Sequence, residues 1–149
     1  MLSSPYRRAV DTVAQFAQAA GLEIQLDADF RERRVDGWME DFDAFCRRQW
    51  ADFDYKLSDG ETLREVQERN IRALERVLET HADQSVAIGS HGTALSTVIH
   101  YYDRSFGYAE FERIRDLMPW VVEFTFEGLT CRSIQPHNLF EIYAAPQAE

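Results

Sequence analysis

The sequence predicts an α/β fold, a three-layer sandwich built on a mostly parallel sheet with an antiparallel edge. Three observations support the prediction. Helical and strand-like segments alternate through the first two thirds of the chain, and strand-like segments cluster after that. In addition, 45% of the 149 residues are hydrophobic, which is enough for a core. Without a linker, repeat or low-complexity tract, we expect residues 1–149 to form a single domain.

Hydrophobic spacing and stop signals define the predicted elements. Apolar residues three and four positions apart predict helices, whereas alternation of apolar and polar residues predicts strands. Gly21 and Pro119 lie where helices must stop, and Glu127-Gly128 is typical of a hairpin turn. In chain order we predict a helix over 5–20, a strand over 22–26, a charged turn over 27–36, one or two helices within 39–56, a helix from 63 to about 80, a strand over 85–89, helices over 92–102 and 108–117, and strands over 121–126, 129–134 and 139–143.

The helix that begins near residue 63 has the clearest pattern. An apolar stripe continues to about residue 80, and a capping box precedes it. The spacing allows two boxes, Ser58 with Glu61 or Thr62 with Glu65, and does not choose between them.

The composition of the chain limits the classes of partner and the location that we expect for it. A formal net charge of −10 argues against nucleic acid and anionic membranes, because both require a basic surface. No apolar run is long enough to span a membrane, and the first residues lack the pattern of a signal peptide, so we expect a cytoplasmic protein. Cys46 and Cys131 fit reduced, part-buried thiols. We predict no metal and no cofactor, since neither ligand spacing nor a nucleotide fingerprint is present.

The stretch Ser85–Leu95 predicts a strand, a tight turn and a helix start, with His91 in the turn. The first turn of a helix offers unpaired N–H groups to an anion, and ligands of open α/β sheets lie beyond the carboxyl ends of the strands. A His-Gly turn is nevertheless common after a strand. Taken alone, this stretch favours a structural histidine.

Four segments, in order, resemble motifs of the histidine phosphatase superfamily, whose fold is phosphoglycerate mutase-like. They are Ser3-Ser4-Pro5-Tyr6-Arg7-Arg8-Ala9-Val10-Asp11-Thr12, Phe30-Arg31-Glu32 with Gly37-Trp38, Asp59-Gly60-Glu61-Thr62, and Ser90-His91-Gly92. Each motif is short and weak by itself. Their succession in one chain is what makes the resemblance specific.

The resemblance implies a role for each matching residue. Arg8 matches the arginine that grips the transferred phosphoryl group, for which a planar, always charged guanidinium is suited. His91, with Gly92, matches the second histidine of the family, and an imidazolium at a helix start would suit a phosphate. Glu32 matches the proton donor to the leaving oxygen, although a glutamate among three arginines could equally be a solvated ion-pair cluster.

Further residues of these motifs are expected to support the site. The resemblance implies that Ser4 and Glu61 support the site. Glu61 could instead simply cap the start of the following helix. Arg69 fits the family's helical pattern and could also be a surface residue.

One motif of the family has no counterpart. The superfamily carries an Arg-His-Gly turn whose histidine accepts the phosphoryl group, and this tripeptide does not occur in the 149 residues. His81, His100 and His137 have no such context. We therefore expect an N-terminally truncated form of the fold, as a start codon chosen inside a longer reading frame would produce; a genuine fragment or a decayed gene would look the same. An in-frame stop immediately before Met1, with no Arg-His-Gly codons, would contradict the misplaced start.

Two functions follow from the resemblance. The first is a phosphatase or phosphotransferase acting on small phosphorylated substrates, with its nucleophilic histidine outside this chain. Phosphatase is favoured over mutase, because only 59 positions (91 minus 32) separate Glu32 from His91. The second is a catalytically inactive phosphate-binding or interaction module. Because the missing strand would lie inside the sheet, we also expect self-association through the exposed sheet.

Overall fold

The structure, a computed structural model, describes residues 1–137. Three short strands are interspersed with five helices, and an antiparallel pair of strands follows the fifth helix. In chain order the elements are β1 (Leu2–Ser3), α1 (Arg7–Ala20), β2 (Gln25–Leu26), a 3₁₀ turn (Ala28–Phe30), α2 (Phe42–Ala51), α3 (Leu63–Thr80), β3 (Ile88–Gly89), α4 (Gly92–Tyr102), α5 (Tyr108–Ile114), β4 (Val121–Glu127) and β5 (Thr130–His137).

The first three strands form a parallel sheet in the order β2-β1-β3. The last two form an antiparallel hairpin, with Glu127 opposite Thr130 and Gly128 at a positive φ of 58° in the turn. The predicted α/β fold with parallel strands and an antiparallel pair is therefore confirmed. The sequence predicted that the antiparallel strands would lie at an edge of the parallel sheet. Within residues 1–137 they instead form a separate two-stranded sheet.

The central strand β1 brings the amino-terminal segment to the carboxyl end of the sheet. The Ser4 amide donates to the Gly89 carbonyl at 2.8 Å, and the Asp27 amide donates to the Ser3 carbonyl at 2.9 Å. Gly89 makes close packing possible, because a Cβ there would lie 2.6 Å from Ser3 Oγ and 2.9 Å from the Ala9 carbonyl oxygen. The chain just after β1 and the start of α4 therefore lie side by side.

The capping box of α3 is formed by Thr62 and Glu65. The Glu65 amide donates to Thr62 Oγ1 at 3.0 Å, and the Thr62 amide donates to Glu65 Oε2 at 2.8 Å. This resolves the alternative left by the sequence, because Glu61 is engaged elsewhere. Ser58 instead adopts a positive φ of 44° in the preceding turn.

Several predicted bounds differ from the structure. The predicted strand over 85–89 is limited to Ile88–Gly89, and the helix predicted over 5–20 begins at Arg7. The 39–56 region contains one helix, α2, and α5 ends three residues before the predicted limit of 117. The predicted strand over 22–26 shrinks to Gln25–Leu26, because only these residues find partners on β1. The predicted strand over 129–134 spans Thr130–His137 in the structure, so His137 ends a strand. The predicted strand over 139–143 lies outside the described residues.

Apolar side chains pack in two clusters. One joins Leu2 and Phe30 to the α3 residues Ala73 and Val77, and therefore lies between the parallel sheet and α3. The other is aromatic and joins α2 to α5 through Phe45, Cys46 and Phe111. Both cysteines are free thiols, with Cys46 buried and Cys131 half-buried. None of the helices in residues 1–137 is both long and apolar enough to cross a membrane.

Candidate active site

Residues far apart in sequence meet at the start of α4. Arg8 Nε donates to His91 Nδ1 at 3.2 Å, and His91 Nε2 lies 2.8 Å from Ser4 Oγ. Because Nδ1 accepts from a guanidinium that cannot lose its proton, the proton of the neutral ring is on Nε2, which donates to Ser4. The structure thus brings together the three predicted residues Ser4, Arg8 and His91.

His91 is held in its neutral form. The side chain is buried, with the residue 8% exposed. Burial, together with the positive charges of Arg8 and Arg69, lowers its pKa from 6.5 to about 4. The imidazolium expected from the sequence is therefore a neutral imidazole in the free chain, because burial and then the charges of Arg8 and Arg69 disfavour the protonated ring.

The edge of the cluster is open to solvent at Arg8. This residue is exposed, and its guanidinium lies 5.0 Å from the centroid of the Tyr6 ring, which itself contacts the His91 ring edge-on. Within residues 1–137, Arg8 Nη1 and Nη2 donate to no other atom. Arg7 points the other way, to Asp11, with 91% of its side chain exposed. Of the two adjacent arginines, only Arg8 can offer paired donors to a ligand at His91.

Glu32 lies on the first turn of α4. Its Oε2 accepts from the Thr93 amide at 3.1 Å, and its Oε1 accepts from the Ala94 amide at 3.1 Å and the Arg33 amide at 2.7 Å. In the described part of the chain it makes no ion pair with its arginine neighbours. The predicted proton donor therefore lies at the same helix start as His91, and it is not part of a solvated cluster.

Gly92 begins α4 and faces open space. A Cβ built at this position would have no heavy atom within 4 Å. A ligand can approach the backbone here more closely than at Gly89, where the surrounding atoms already fill the space. The sequence prediction of Gly92 as a phosphate-contacting position is compatible with this geometry.

Glu61 forms a buried ion pair with Arg69 of α3. Arg69 Nε donates to Glu61 Oε1 at 2.9 Å and Arg69 Nη2 to Oε2 at 3.1 Å, while Arg31 Nη2 donates to Oε1 at 2.8 Å. Burial by itself would raise the pKa of Glu61, but the bonds from Arg69 and the Arg34 amide and the positive charges outweigh it and lower that pKa. Glu61 is therefore a buried acceptor and not a helix cap.

Sequence reasoning left Arg69 and Gln49 without an assigned role. Gln49 is fully buried; its Oε1 accepts from Arg33 Nη1 at 2.6 Å and its Nε2 donates to the Glu61 carbonyl at 2.9 Å. One sequence signal could have identified Arg69. It falls three residues after Val66 and four before Ala73, inside the apolar stripe of α3, where a charged residue must be paired.

The other histidines have structural partners. His100 Nδ1 lies 2.6 Å from the Phe106 carbonyl oxygen, His137 Nε2 lies 3.0 Å from Glu123, and His81 lies at the end of α3 beside Gln84. None of these contacts involves the residues at the start of α4. A search of residues 1–137 finds no group of three or more histidine, cysteine, aspartate or glutamate side chains able to hold a metal ion.

Comparisons with known proteins agree with the fold. A Salmonella arizonae protein named "Probable phosphoglycerate mutase GpmB" is 31% identical over 109 residues, which cover 66% of this chain and 50% of that protein. The chain thus spans about half the length of this curated relative.

Solved structures share the fold at lower identity. Bacillus stearothermophilus YhfR matches with a TM-score of 0.66 and 20% identity over 88% of this chain and 69% of that one. The native mycobacterial glucosyl-3-phosphoglycerate phosphatase matches with a TM-score of 0.68 and 17% identity over 92% and 76%. A complex of that phosphatase with inorganic phosphate matches with a TM-score of 0.58 and 20% identity over 70% and 58%.

The family model described as histidine phosphatase superfamily (branch 1) matches residues 1–132, which include every residue of the cluster at α4. On this match, the chain belongs to the histidine phosphatase superfamily.

Proposed function

We propose that this chain supplies the phosphoryl-binding and proton-donating groups of a phosphomonoester phosphatase. The reaction would pass through a phosphohistidine, and the nucleophilic histidine would come from outside these 149 residues. The observation that carries the proposal is the convergence of Ser4, Arg8 and His91 beside Glu32 at the start of α4. These groups have the chemistry that transfer of a phosphoryl group requires.

Arg8 and His91 would bind the phosphoryl group together. Arg8 offers guanidinium donors that no atom of residues 1–137 uses, and Gly92 leaves the backbone at the helix start accessible. A phosphoryl dianion beside the ring would offset the charges of Arg8 and Arg69 that keep His91 neutral. Binding would then be accompanied by proton uptake at His91, which becomes a donor to a phosphoryl oxygen.

Glu32 would deliver the proton to the leaving oxygen. When the bond between phosphorus and the ester oxygen breaks, that oxygen leaves as an alkoxide unless an acid protonates it, and the phosphorus bonds to the nucleophilic nitrogen. Anchorage on the Thr93 and Ala94 amides holds the Glu32 carboxyl within the first turn of the helix that begins next to His91.

The direct test is turnover of p-nitrophenyl phosphate by a chain extended at its amino terminus with an Arg-His-Gly segment encoded upstream. We expect activity that Arg8→Ala and His91→Ala each reduce by about a hundredfold or more, as loss of a transition-state donor does. Arg7→Ala is the matched control and retains activity, since Arg7 is exposed and pairs with Asp11 at the surface of α1. An extended chain that folds and binds phosphate but shows no turnover would contradict the phosphatase proposal.

A second candidate is a catalytically inactive phosphate-binding or interaction module. The observation that favours it is the lack of an Arg-His-Gly turn in these 149 residues. Phosphate binding without turnover in the extended chain would support this candidate over the first.

The substrate we propose is a small phosphorylated molecule, and hydrolysis is favoured over mutase chemistry on the short spacing between Glu32 and His91. The names of the similar proteins include both a phosphatase and a mutase. A mutase would interconvert phosphoglycerates without releasing phosphate, so release of inorganic phosphate decides between the two. We also propose a cytoplasmic location, which the two unpaired thiols support.

A further inference from the structure

One side chain of α3, Arg69, binds the backbone of the segment 29–34, which we call the Glu32 loop. Arg69 Nη1 donates to the carbonyl oxygens of Asp29 and Arg31, both at 2.7 Å, and Arg69 Nη2 donates to that of Glu32 at 3.1 Å. With the two bonds to Glu61, the guanidinium makes five hydrogen bonds. An arginine has five N–H donors, so this side chain is fully used.

Glu61 fixes the opposite side of the same loop. Its Oε2 accepts from the Arg34 amide at 2.8 Å, and its own amide donates to the Arg34 carbonyl at 2.8 Å. Glu61 and Arg69 are only 8% and 4% exposed. Buried charge-assisted bonds of this kind hold geometry tightly, because breaking one leaves an uncompensated charge in the interior.

Glu32 is held at both ends. We call Arg69 and Glu61, with their bonds to the loop backbone, the clamp. The backbone carbonyl of Glu32 is bonded to Arg69 of α3, whereas its carboxylate is bonded to the Thr93 and Ala94 amides of α4. The distance from the loop backbone to the helix start is thereby set by α3, which packs against both. Arg69 itself makes none of its five bonds to His91, Arg8 or Ser4.

We propose that Arg69, with Glu61 as its counter-ion, is a positioning residue that sets the placement of the Glu32 carboxyl over the first turn of α4. The functional meaning of this placement, delivery of a proton to the leaving group, rests on the proposed function. The clamp itself does not. Only arginine can fill the role, because lysine preserves the charge opposite Glu61 but has three donors on a single nitrogen.

Arg69→Lys in the 149-residue chain tests the clamp directly. We expect the variant to fold, since the charge pair with Glu61 is kept, and to lose the carbonyl bonds, so that the amide proton and nitrogen resonances of Thr93 and Ala94 move. Arg76→Lys is the matched control: Arg76 lies on the same helix and bonds the Asp27 and Asp29 carboxylates at the surface, and within residues 1–137 it donates to no carbonyl of the loop. Thr93 and Ala94 shifts no larger in Arg69→Lys than in Arg76→Lys would overturn the proposal.

The extended, active chain adds a kinetic readout that a merely structural role would not produce. Misplacement of the acid by about 1 Å is expected to lower kcat by about a hundredfold. The KM should stay within about twofold, because Arg69 does not contact the phosphoryl-binding residues. A rise in KM with unchanged kcat would contradict positioning of the acid.

Amide hydrogen exchange in the unmutated chain keeps the proposal testable if Arg69→Lys fails to fold. The Arg34 amide, bonded to Glu61, should be protected to the same degree as the Thr93 and Ala94 amides, bonded to Glu32, since one clamp holds both. Rapid exchange at Arg34 beside slow exchange at Thr93 and Ala94 would contradict it. Loss of phosphate binding, in contrast, would contradict the proposed function and leave the clamp standing.

Discussion

At the scale of single residues, the chemistry depends on the protonation of His91. Burial and the charges of Arg8 and Arg69 disfavour a protonated ring. The second proton would have to bind Nδ1, which already accepts a hydrogen bond from Arg8 Nε. The neutral form is therefore tied to the native fold. The unfolded chain loses all three influences, and its imidazole returns to an ordinary pKa.

This difference predicts a pH dependence of stability. As the pH falls from 6.5, the unfolded imidazole takes up a proton before the native one does, because the native pKa is about 4. The stabilisation that comes from the neutral His91 is thus complete above the unfolded pKa and is lost as the pH falls toward about 4. The loss between about pH 7 and about pH 5 is about 2 kcal/mol. Urea unfolding at several pH values, with His91→Gln as comparison, measures it.

Glutamine removes the titrating group and keeps an acceptor and a donor. The wild-type chain should therefore lose about 2 kcal/mol more than His91→Gln over this pH interval. Equal losses in the two proteins would mean that His91 titrates normally in the folded chain.

Glu32 illustrates what the sequence could and could not predict about single residues. The resemblance matched it to a proton donor, whereas its three neighbouring arginines allowed a surface ion cluster. In the structure Arg31 pairs with Glu61 and Arg33 is buried against Gln49, 16 positions away. Such partners arise from tertiary packing, and local sequence does not specify them.

At the scale of elements, the join between β3 and α4 carries the candidate site. Gly89 and Gly92 lie three residues apart and have opposite surroundings, since Gly89 is closely packed and Gly92 is open. The strand end needs glycine for packing, whereas the helix start leaves space for a ligand.

Alanine at these two positions should therefore act differently. Gly89→Ala forces Ser3 and the backbone of α1 apart and should destabilise the chain by about 1–3 kcal/mol. Gly92→Ala should stay within about 0.5 kcal/mol in stability, yet weaken phosphate binding by about tenfold, equivalent to about 1.4 kcal/mol. Thermal unfolding and phosphate titration of both variants provide the check, and a stability loss in Gly92→Ala as large as that in Gly89→Ala would contradict this difference.

Long elements were predicted better than short ones for a physical reason. The helix α3 is 18 residues long, and its apolar stripe and capping box can be recognised in the sequence. Strands of two residues, such as β1 and β2, exist because partners pair with them, and a pair of residues has no periodicity to detect.

At the scale of the whole molecule, the parallel sheet has an outer strand on each side of β1 within residues 1–137. In residues 1–137, β2 and β3 each pair with β1 alone, and Leu26 of β2 is 59% exposed. We propose that copies of the chain self-associate through these edges, because unpaired strand backbone recruits further strands.

Sedimentation velocity over a range of protein concentrations tests self-association. We expect the average mass to rise with concentration, and Leu26→Lys to reduce the rise by placing a charge on the edge. Phe16→Lys is the matched control, since Phe16 is equally exposed but lies on α1. A monomer at all concentrations that melts cooperatively would contradict the expectation.

The sequence motifs predicted the family and the α/β architecture together, because both depend on the order of segments and not on their contacts. The motifs from Ser3 to Gly92 fall within the residues that the family model matches. The separate hairpin and the loop clamp required the structure, since each depends on which surfaces meet.

The central claim, that Arg8 and His91 form a phosphate-binding pair, is tested most directly by titrating inorganic phosphate into the 149-residue chain while following the imidazole nitrogen resonances of His91. We predict saturable binding, a shift of both nitrogens toward the protonated form, and a pKa of His91 that rises above about 4. Arg8→Ala should weaken binding by about tenfold or more, and Arg7→Ala should not. A His91 signal that does not respond to phosphate, or equal binding by the two arginine variants, would contradict the account.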